Sequence, residues 1–296
     1  MTHVKLLKSL SPAAKTNLIA RSDRAGLRHL LLYLAVLTLT TLGIILQIPF
    51  WPMLMLPQGI LLVFLFTLSH ECTHQTPFRS VWINEFIGHA IAPVLALPFV
   101  WFRYFHLAHH KHTNDPDHDP ELAGGGRPTS RLDMLIYLSG VLYWRGNLRL
   151  LWGNATGKIR APYLPKRRHN TMRSEASLIL ILYGLTASSL FYTPLLLWIW
   201  IIPVLVGQPF LRLYLLAEHG LCPPVADMLQ NTRTTFTNRL IRALAWNMPY
   251  HAEHHSFPNV PFHQLPALND ITQEHLKSTS DGYGQFTADY VRSLEH

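Results

Sequence analysis

Four apolar stretches, at residues 29–50, 53–69, 175–192 and 195–216, have lengths suited to crossing a membrane. A helix needs about 20 predominantly apolar residues to span the hydrocarbon core of a bilayer. Inside that core every backbone N–H and C=O must be paired within the chain, so the spanning segments are expected to be helices. The sequence therefore predicts an all-α integral membrane protein with four spans, arranged as two transmembrane helical hairpins.

The composition agrees with a membrane-embedded chain. Of the 296 residues, 49% are hydrophobic and 14% are charged, whereas about a quarter of the residues in a typical globular protein are charged. The formal net charge of +8 is explained better by basic residues beside the spans than by nucleic-acid binding. We therefore expect no nucleic-acid partner.

The positions of the basic residues predict the orientation in the membrane. Residues 1–28 are polar and basic, whereas the turn between the first two spans and the turn at 192–194 contain no Lys or Arg. Cytoplasmic loops are enriched in Lys and Arg, so we expect both termini and the polar region 103–174 in the cytoplasm. The predicted location is a bacterial inner membrane, crossed several times, with the active site on the cytoplasmic side.

Two further apolar segments are expected to lie at the membrane surface. Residues 86–102 are interrupted by Pro93 and Pro98 and flanked by arginines, which favours an interfacial or re-entrant segment. Residues 133–152 are amphipathic with two internal arginines, which favours a helix lying on the surface. Such interfacial helices would join the spans to a cytoplasmic histidine-rich cap.

The expected domain organisation is simple. A cytoplasmic N-terminal segment, 1–28, precedes a membrane domain at 29–270, and a cytoplasmic tail follows at 271–296. The first segment lacks the short apolar core and small-residue cleavage site of a signal peptide. The two cysteines, Cys72 and Cys222, have no CxxC spacing, so neither a zinc knuckle nor a disulfide framework is expected.

The motif HECTH, at residues 70–74, follows the second predicted span directly. It matches the H-E-x-x-H pattern of zinc metalloproteases, in which two histidines bind zinc and the glutamate is the general base. Alone, it would predict a membrane protease that uses His70, Glu71 and His74. A catalytic zinc takes about three protein ligands, so this hypothesis leaves the remaining histidine clusters unexplained.

Two more histidine clusters accompany this motif in a chain that contains 18 histidines. HLAHH supplies His106, His109 and His110, and HAEHH supplies His251, His254 and His255. Positions i, i+3 and i+4 share one face of a helix, so each cluster can direct two or three imidazoles at one point. His219, at the end of the fourth span, is a ninth candidate ligand.

Eight or nine imidazoles exceed the needs of one metal ion and favour two. Imidazole binds iron, copper, zinc and nickel, so the ligand type alone does not select the metal. Histidines at the cytoplasmic ends of membrane helices are well placed for oxygen chemistry on lipid acyl chains. A metal carrier or sensor without catalytic activity is another alternative, and it would bind metal without consuming O2.

The motifs HECTH, HLAHH and HAEHH, in this order and separated by membrane hairpins, resemble the three histidine boxes of the integral-membrane fatty acid desaturase and hydroxylase family. The flanking segments RYFHLAHHKHTNDPDHDPEL and NMPYHAEHHSFPNVPFHQLP agree with this resemblance. It covers roughly residues 30–270. The resemblance implies a non-haem di-iron centre that uses O2 and two electrons from an external donor.

The resemblance also implies which residues hold the iron ions. The implied ligands are His70, His74, His106, His109, His110, His251, His254 and His255, with His219 as a ninth. Ligating histidines usually donate their second N–H to a carboxylate or carbonyl, and the candidates for that role are Asp115, Asp119, Glu218 and Glu253. Glu71 then becomes an outer residue, and His89 is expected to be buried and hydrogen-bonded but not a ligand.

The expected activity is an acyl-lipid desaturase that introduces a C=C bond into a membrane lipid or acyl substrate. No cytochrome b5 module is recognisable, so the electrons are expected from a separate ferredoxin, rubredoxin or cytochrome. Trp101, Phe102 and Trp144 are candidate residues of an apolar substrate channel. A lipid or carotenoid hydroxylase or ketolase is the first alternative, since these reactions share the same ligands. The membrane zinc protease is the second.

Overall fold

The computed structural model describes residues 1–124 and 126–294. His296, and with it the end of the predicted tail 271–296, lies outside the described residues. Helices make up most of the described chain, which confirms the predicted all-α class. They are α1 (His3–Ser9), α2 (Pro12–Leu18), α3 (Asp23–Ile45), α4 (Met55–His74), α5 (Val81–Leu95), α6 (Phe99–His112), α7 (Arg131–Leu138), α8 (Val141–Ala155), α9 (His169–Ser189), α10 (Ile202–His219), α11 (Met228–Asn231), α12 (Arg239–Leu244), α13 (His251–Ser256), α14 (Leu265–Thr272) and α15 (Tyr283–Ser293).

Within the described residues, three helical segments are long and apolar enough to cross a membrane: Pro12–Ile45, Trp51–His74 and Leu197–His219. They contain α2 with α3, a short 3₁₀ turn with α4, and a π-helical turn with α10. Helices α5 and α6 form a fourth apolar unit that bends by 98°. The bend follows Ala96, whose φ of 53° is left-handed, and it agrees with the predicted interruption of this segment by prolines.

Helix α9 coincides with the predicted third span but is not among the three segments that meet these length and apolarity requirements. Its first residues, 169–177, are HNTMRSEAS and mostly polar. The apolar remainder from Leu178 onward is short for a full crossing, which needs about 17 to 25 residues. The third span therefore stays a prediction.

Two helix boundaries differ from those expected in ways that matter for the histidines. The second span was predicted to end at residue 69, whereas α4 continues to His74 and ends where Gln75 adopts a left-handed φ of 58°, so the HECTH motif forms the last turn of the spanning helix. The predicted surface helix at 133–152 is instead two helices. Gly140, with a φ of 71°, separates α7 from α8.

α4 and α10 pack against each other with their backbones in contact. A Cβ atom added to Gly59 would lie 2.0 Å from the carbonyl oxygen of Pro203, and one added to Gly207 would lie 2.3 Å from the carbonyl carbon of Gly59. Small residues allow this close approach of helices in membranes. Because both helices end at candidate ligand histidines, this crossing fixes the ends of α4 and α10 relative to each other.

The chain beyond α10 folds back over the ends of these helices. β1 (Thr234–Thr235) pairs in parallel with β2 (Thr279–Ser280). The buried guanidinium of Arg233 donates to the carbonyl oxygens of Gly220, at 2.6 Å, and Thr279, at 3.0 Å. These contacts join the end of α10 to the C-terminal region and place α13, which carries the third histidine cluster, against it.

Candidate metal centre

The first two histidine clusters occupy the final turns of α4 and α6. His70 and His74 are one turn apart on α4, and their ring centroids are 5.8 Å apart. His106, His109 and His110 lie on the last turns of α6. Nε2 of His74 lies 2.8 Å from Nε2 of His106, so the two helix ends meet through their imidazoles.

The third cluster and His219 complete the assembly from the C-terminal part. His251, His254 and His255 are all buried on the short helix α13. Nε2 of His254 lies 2.7 Å from Nε2 of His70, and Nε2 of His219 lies 3.2 Å from Nε2 of His109. The structure therefore brings together all nine histidines that the sequence singled out.

The histidines form two groups whose ring nitrogens are close enough to share a metal ion. One group contains His70, His74, His106, His110 and His254, and the other contains His109, His219 and His255; within each, the ligand atoms lie within 4.8 Å of one another. The rings of His110 and His255 stack at 3.9 Å between centroids, so the groups adjoin. His251 belongs to neither, and its ring lies 4.5 Å from that of His255.

Some ring nitrogens in these groups lack the partners that buried imidazoles usually have. Among the described residues, both nitrogens of His110 and Nε2 of His255 are buried without a hydrogen bond. Buried polar groups are normally paired, and convergent unpaired imidazole nitrogens are the donor set that iron, zinc or copper takes. The residues therefore fit one or more transition-metal ions, and two adjoining groups fit two.

Burial keeps the third cluster in the form that binds metals. It lowers the pKa of His251, His254 and His255 well below the ordinary value, and the neighbouring imidazoles lower the pKa further. These side chains are therefore neutral at physiological pH. Metal binding requires a neutral imidazole, so no proton has to be displaced from them.

His109 and His251 each have a carboxylate on the side of the ring that faces away from the other histidines. Nδ1 of His109 contacts both carboxylate oxygens of Asp119, at 2.9 and 3.0 Å. Nδ1 of His251 lies 3.4 Å from Oε1 of Glu218. Such partners orient a ligating imidazole and fix which nitrogen faces the metal. Two of the four carboxylates that the sequence suggested for this role, Asp119 and Glu218, are placed to perform it.

The other two suggested carboxylates are placed elsewhere, so those interpretations are corrected. Asp115 pairs with the exposed His118 at 2.9 Å. Glu253 points away from the cluster and accepts hydrogen bonds from Thr234, Asn269 and Thr272. Residues i and i+2 of a helix face different directions, which explains why Glu253 diverges from its histidine neighbours on α13.

The interpretation of His89 as a buried residue is wrong, although the expected hydrogen bond is present. The side chain is 42% exposed, and its Nδ1 lies 2.7 Å from Oε1 of Glu175. Glu175 also accepts hydrogen bonds from the backbone N–H groups of Phe99 and Val100. The pair holds the bend between α5 and α6 and lies apart from the histidine groups.

Two partners of the histidines were not anticipated. The hydroxyl of Thr113 lies 3.0 Å from Nδ1 of His255, and the carbonyl oxygen of Asn231 lies 3.3 Å from Nδ1 of His219. Glu71, which was expected to be an outer residue, lies with its Oε1 3.4 Å from Nδ1 of His254. Thr113 directly follows HLAHHKH, so its position in the sequence could have suggested a contact with the histidines. Nothing in the sequence indicates that the carbonyl of Asn231 lies beside a histidine.

A cavity of about 190 Å³ opens beside the histidines. Trp101 and Phe102, which the sequence suggested as channel residues, line it together with His70, His106 and His251. Trp144 lines a different, apolar cavity of about 310 Å³ with Val94 and Val204. The first cavity therefore reaches the imidazoles, and its wall combines apolar side chains with polar ones such as Asn147 and Arg212.

Comparison with known proteins agrees with this arrangement. The Fatty acid desaturase family matches residues 46–287. A fatty acid conjugase, FAC2 A, of Calendula officinalis is 26% identical over 257 residues, which cover 75% of this chain and 67% of that protein. An sn-1 oleoyl-lipid 12-desaturase of Synechocystis is 23% identical over 267 residues, which cover 83% of this chain and 75% of the relative.

A shorter match is with an sn-1 acyl-lipid omega-3 desaturase (ferredoxin) of Nostoc, which is 36% identical over 70 residues, or 24% of this chain and 20% of that protein. The family match spans more than half of the chain. The chain therefore belongs to the fatty acid desaturase family, a family of membrane oxidoreductases, and its histidine groups are able to bind metal.

Proposed function

We propose that the protein is an O2-dependent acyl-lipid desaturase with a non-haem di-iron centre, and that it introduces a C=C bond into a lipid acyl chain. The observation that carries this proposal is the convergence of nine histidines from four parts of the chain beside one cavity, eight of them in two adjoining groups. One metal ion does not need so many imidazoles. Family membership supports the oxidoreductase class.

The proposed ligands are the eight histidines of the two groups together with the neighbouring His251. One iron ion would be held by the group of five and the other by the group of three, with His251 beside the latter. Three carboxylates would orient ligands through the ring nitrogen that faces away from the metal. Asp119 would orient His109, Glu218 would orient His251, and Glu71 would orient His254. The bound ions would supply O2-dependent hydrogen abstraction from an unactivated C–H bond.

The remaining tasks belong to the protein itself. The cavity lined by Trp101, Phe102 and Phe66 holds an acyl segment beside the imidazoles and keeps water away from it. The rigid crossing of α4 and α10 at Gly59 holds the histidines at the two helix ends in place. Positioning and water exclusion of this kind are what a protein contributes to such cofactor chemistry.

The alternative function is hydroxylation or ketolation, which would use the same metal centre. A lipid or carotenoid hydroxylase or ketolase would use the same ligands, and the outcome depends on how the C–H bonds are held. Desaturation is preferred because two of the relatives are named as acyl-lipid desaturases. The zinc protease hypothesis has little support, because Glu71 lies behind His254 and accepts hydrogen bonds from Thr76 and Phe262.

We further propose a four-span topology with two hairpins, in which α9 forms the third span. The histidine groups would face the cytoplasm as part of a cap, in a bacterial inner membrane. Residues 1–28 and 271–296 would be the cytoplasmic segments around a membrane domain at 29–270. The lack of Lys and Arg in the turn before α4 supports this orientation.

The proposed electron donor is a separate soluble carrier of the ferredoxin, rubredoxin or cytochrome type. A ferredoxin is favoured because the Nostoc relative is named as a ferredoxin enzyme. The exposed run of Lys166, Arg167 and Arg168 at the start of α9 would attract an acidic carrier by long-range charge.

Two measurements test the proposal. Metal analysis of the purified protein should find about two iron ions per chain, as the two histidine groups require. Mass spectrometry of lipids from cells with and without the gene should show acyl chains lighter by two mass units. A gain of one oxygen atom would favour the hydroxylase alternative, and a single zinc ion with peptidase activity would overturn the proposal.

A matched pair of variants connects the activity to the histidine groups. His109→Ala should abolish product formation, because His109 is buried in the group of three. His118→Ala should leave it unchanged, because the side chain is 64% exposed and pairs with Asp115. Full turnover by His109→Ala would refute the ligand assignment.

A further inference from the structure

Arg212 is a charged residue inside a helix that can cross the membrane. It lies in α10, within the apolar segment Leu197–His219. A charged side chain at such a position is costly and usually marks a functional site. Its side chain lines the cavity of about 190 Å³ that also reaches His106 and His251.

The guanidinium of Arg212 has aromatic neighbours but no protein acceptor among the described residues. Its central carbon lies 3.8 Å from the ring centroid of Tyr137 and 5.7 Å from that of Tyr143. Stacking on a ring leaves the N–H groups at the edge of the guanidinium free to donate. Nε is buried and has no hydrogen-bond partner.

Two other buried or partly buried arginines show what a structural role looks like in this protein. Arg103 donates to both carboxylate oxygens of Glu85, at 2.6 and 3.1 Å. Arg233 donates from all three nitrogens, mainly to backbone carbonyls, such as that of Gly220 at 2.6 Å. Nε of Arg103 is also unpaired, but Glu85 accepts from both of its terminal nitrogens, whereas no described residue accepts a hydrogen bond from Arg212.

A second unpaired donor lines the same cavity. Nε1 of Trp101 is buried and, in the part of the chain that the structure describes, has no hydrogen-bond partner. The carboxylates of Glu121 and Glu218 also line the cavity, yet neither forms an ion pair with Arg212 there. Buried donors without acceptors are rare in native proteins, and an oxyanion in this cavity would supply an acceptor to both donors.

The chemistry of the ligand follows from these donors. A planar guanidinium matches the two oxygens of a carboxylate or phosphate, and an indole N–H can donate to a further oxygen. Leu97, Phe102 and Leu215 make the rest of the nearby wall apolar. A molecule with an oxyanion at one end and a hydrocarbon chain at the other satisfies both parts of the cavity.

We propose that Arg212, assisted by Trp101, binds the anionic head group of the acyl substrate, either a fatty acid carboxylate or a phospholipid phosphate. This inference rests on the proposed function, since it assigns the substrate class of the same cavity. Arg212 precedes His219 by seven residues on α10, which is about 10 Å along a helix. The bound oxyanion would therefore lie at a fixed distance from the histidines, measured along the axis of α10.

The test measures binding with two matched pairs of probes in detergent. Oleic acid is compared with its methyl ester, and phosphatidylglycerol with diacylglycerol of the same acyl chains. The wild-type protein should bind at least one oxyanion more tightly than its neutral partner. A preference for oleic acid alone identifies a free fatty acid as the source, and a preference for phosphatidylglycerol alone identifies a phospholipid.

The variants assign any preference to the two donors. Arg212→Gln should weaken binding of the preferred oxyanion by about 10- to 100-fold, as expected for a charge-assisted hydrogen bond, and leave the neutral probe unchanged. Trp101→Phe should weaken it less. Arg145→Gln, which removes an exposed charge from α8, should have no effect. A wild-type protein with no preference, or an undiminished preference in Arg212→Gln, would overturn the inference.

The wild-type comparison needs no variant, so the inference stays testable even if Arg212→Gln does not fold. Its failure is also distinguishable from failure of the proposed function. Product formation and iron content in a protein without oxyanion preference would refute the role of Arg212 alone. An oxyanion preference in a protein that holds no iron and forms no product would refute the desaturase proposal alone.

Discussion

Oε1 of Glu71 lies 3.4 Å from Nδ1 of His254, so the glutamate of the first histidine motif faces the outer side of a histidine from the third. Its other oxygen, Oε2, accepts hydrogen bonds from Thr76 Oγ1 at 2.8 Å and from the backbone N–H of Phe262 at 3.2 Å. The general base of an H-E-x-x-H protease must instead face the water on its zinc ion.

The position of Glu71 makes its substitution milder than that of a ligand. Glu71→Gln keeps an oxygen for these hydrogen bonds but weakens the support of His254, and loss of such support costs about 10- to 100-fold in metal affinity or activity. His70→Ala should abolish activity. Iron content and product yield of the two variants are to be compared. Equal and complete loss in both, together with peptidase activity of the wild type, would restore the protease hypothesis.

The unequal sizes of the two histidine groups predict unequal sensitivity to substitution. His255→Ala leaves the second ion only His109, His219 and the neighbouring His251, whereas His110→Ala leaves the first ion four of its five histidines. A catalytic zinc keeps about three protein ligands, so the site left by His255→Ala has none to spare. We expect a larger loss of iron in His255→Ala than in His110→Ala, measured by elemental analysis. The reverse order would contradict the grouping.

Asp119 should be needed for metal retention although it is not a ligand. Its carboxylate accepts from His109 Nδ1 and from the backbone N–H groups of Asn114, at 2.7 Å, and Glu121, at 2.9 Å. Asp119→Asn removes the charge and should lower iron affinity about 10- to 100-fold. Asp117→Asn, in the same loop but exposed, is the control. Chelator titration gives the two affinities, and indistinguishable values would refute the role of Asp119.

The glycine contact between α4 and α10 should control the geometry of the centre from within the membrane. Gly59→Ala places a methyl group 2.0 Å from the carbonyl oxygen of Pro203 and forces the helices apart. We expect lower thermal stability in detergent and reduced iron content. At Gly184 on α9 a Cβ atom meets nothing within 4 Å, so Gly184→Ala should be neutral. Similar behaviour of the two variants would show that the crossing is not constrained.

If Arg212 fixes the head group, the position of the new double bond is set by its distance from the carboxyl carbon. Acyl chains that differ only in length at the methyl end should therefore receive the double bond at the same distance from the carboxyl carbon. Gas chromatography with mass spectrometry of the products locates the bond. A bond that keeps a constant distance from the methyl end would show that the tail, and not the head group, sets the register.

The composition of the histidine centre could be read from the sequence, because spacings of three and four residues are visible in the motifs themselves. Its division into groups could not, since His70 and His254 are 184 residues apart and only the folded chain pairs them. The same limit explains the errors over Asp115 and Glu253. A carboxylate beside a histidine motif faces the cluster or faces away according to the local backbone, and proximity in sequence does not distinguish the two.

For the membrane helices, too, the sequence predicted some features and not others. Apolar length predicted the helices that contain α3, α4 and α10, but not that α4 would continue through its histidines to His74. The unpaired state of Arg212 was also invisible to the sequence. Arg103 flanks one apolar segment and Arg212 lies inside another, and only the fold shows that Glu85 pairs with Arg103 and that no described carboxylate pairs with Arg212.

Because the histidines are far apart in the sequence, the metal groups can form only late in translation. His70 and His74 emerge from the ribosome early, yet their partner His254 lies on α13, beyond the last membrane helix. Neither proposed metal group is complete until translation has reached α13, which supplies His254 to one group and His255 to the other. Insertion of the helices must therefore precede metal loading, and a chain that stalls before α13 would reach the membrane with its spans in place but its two groups incomplete.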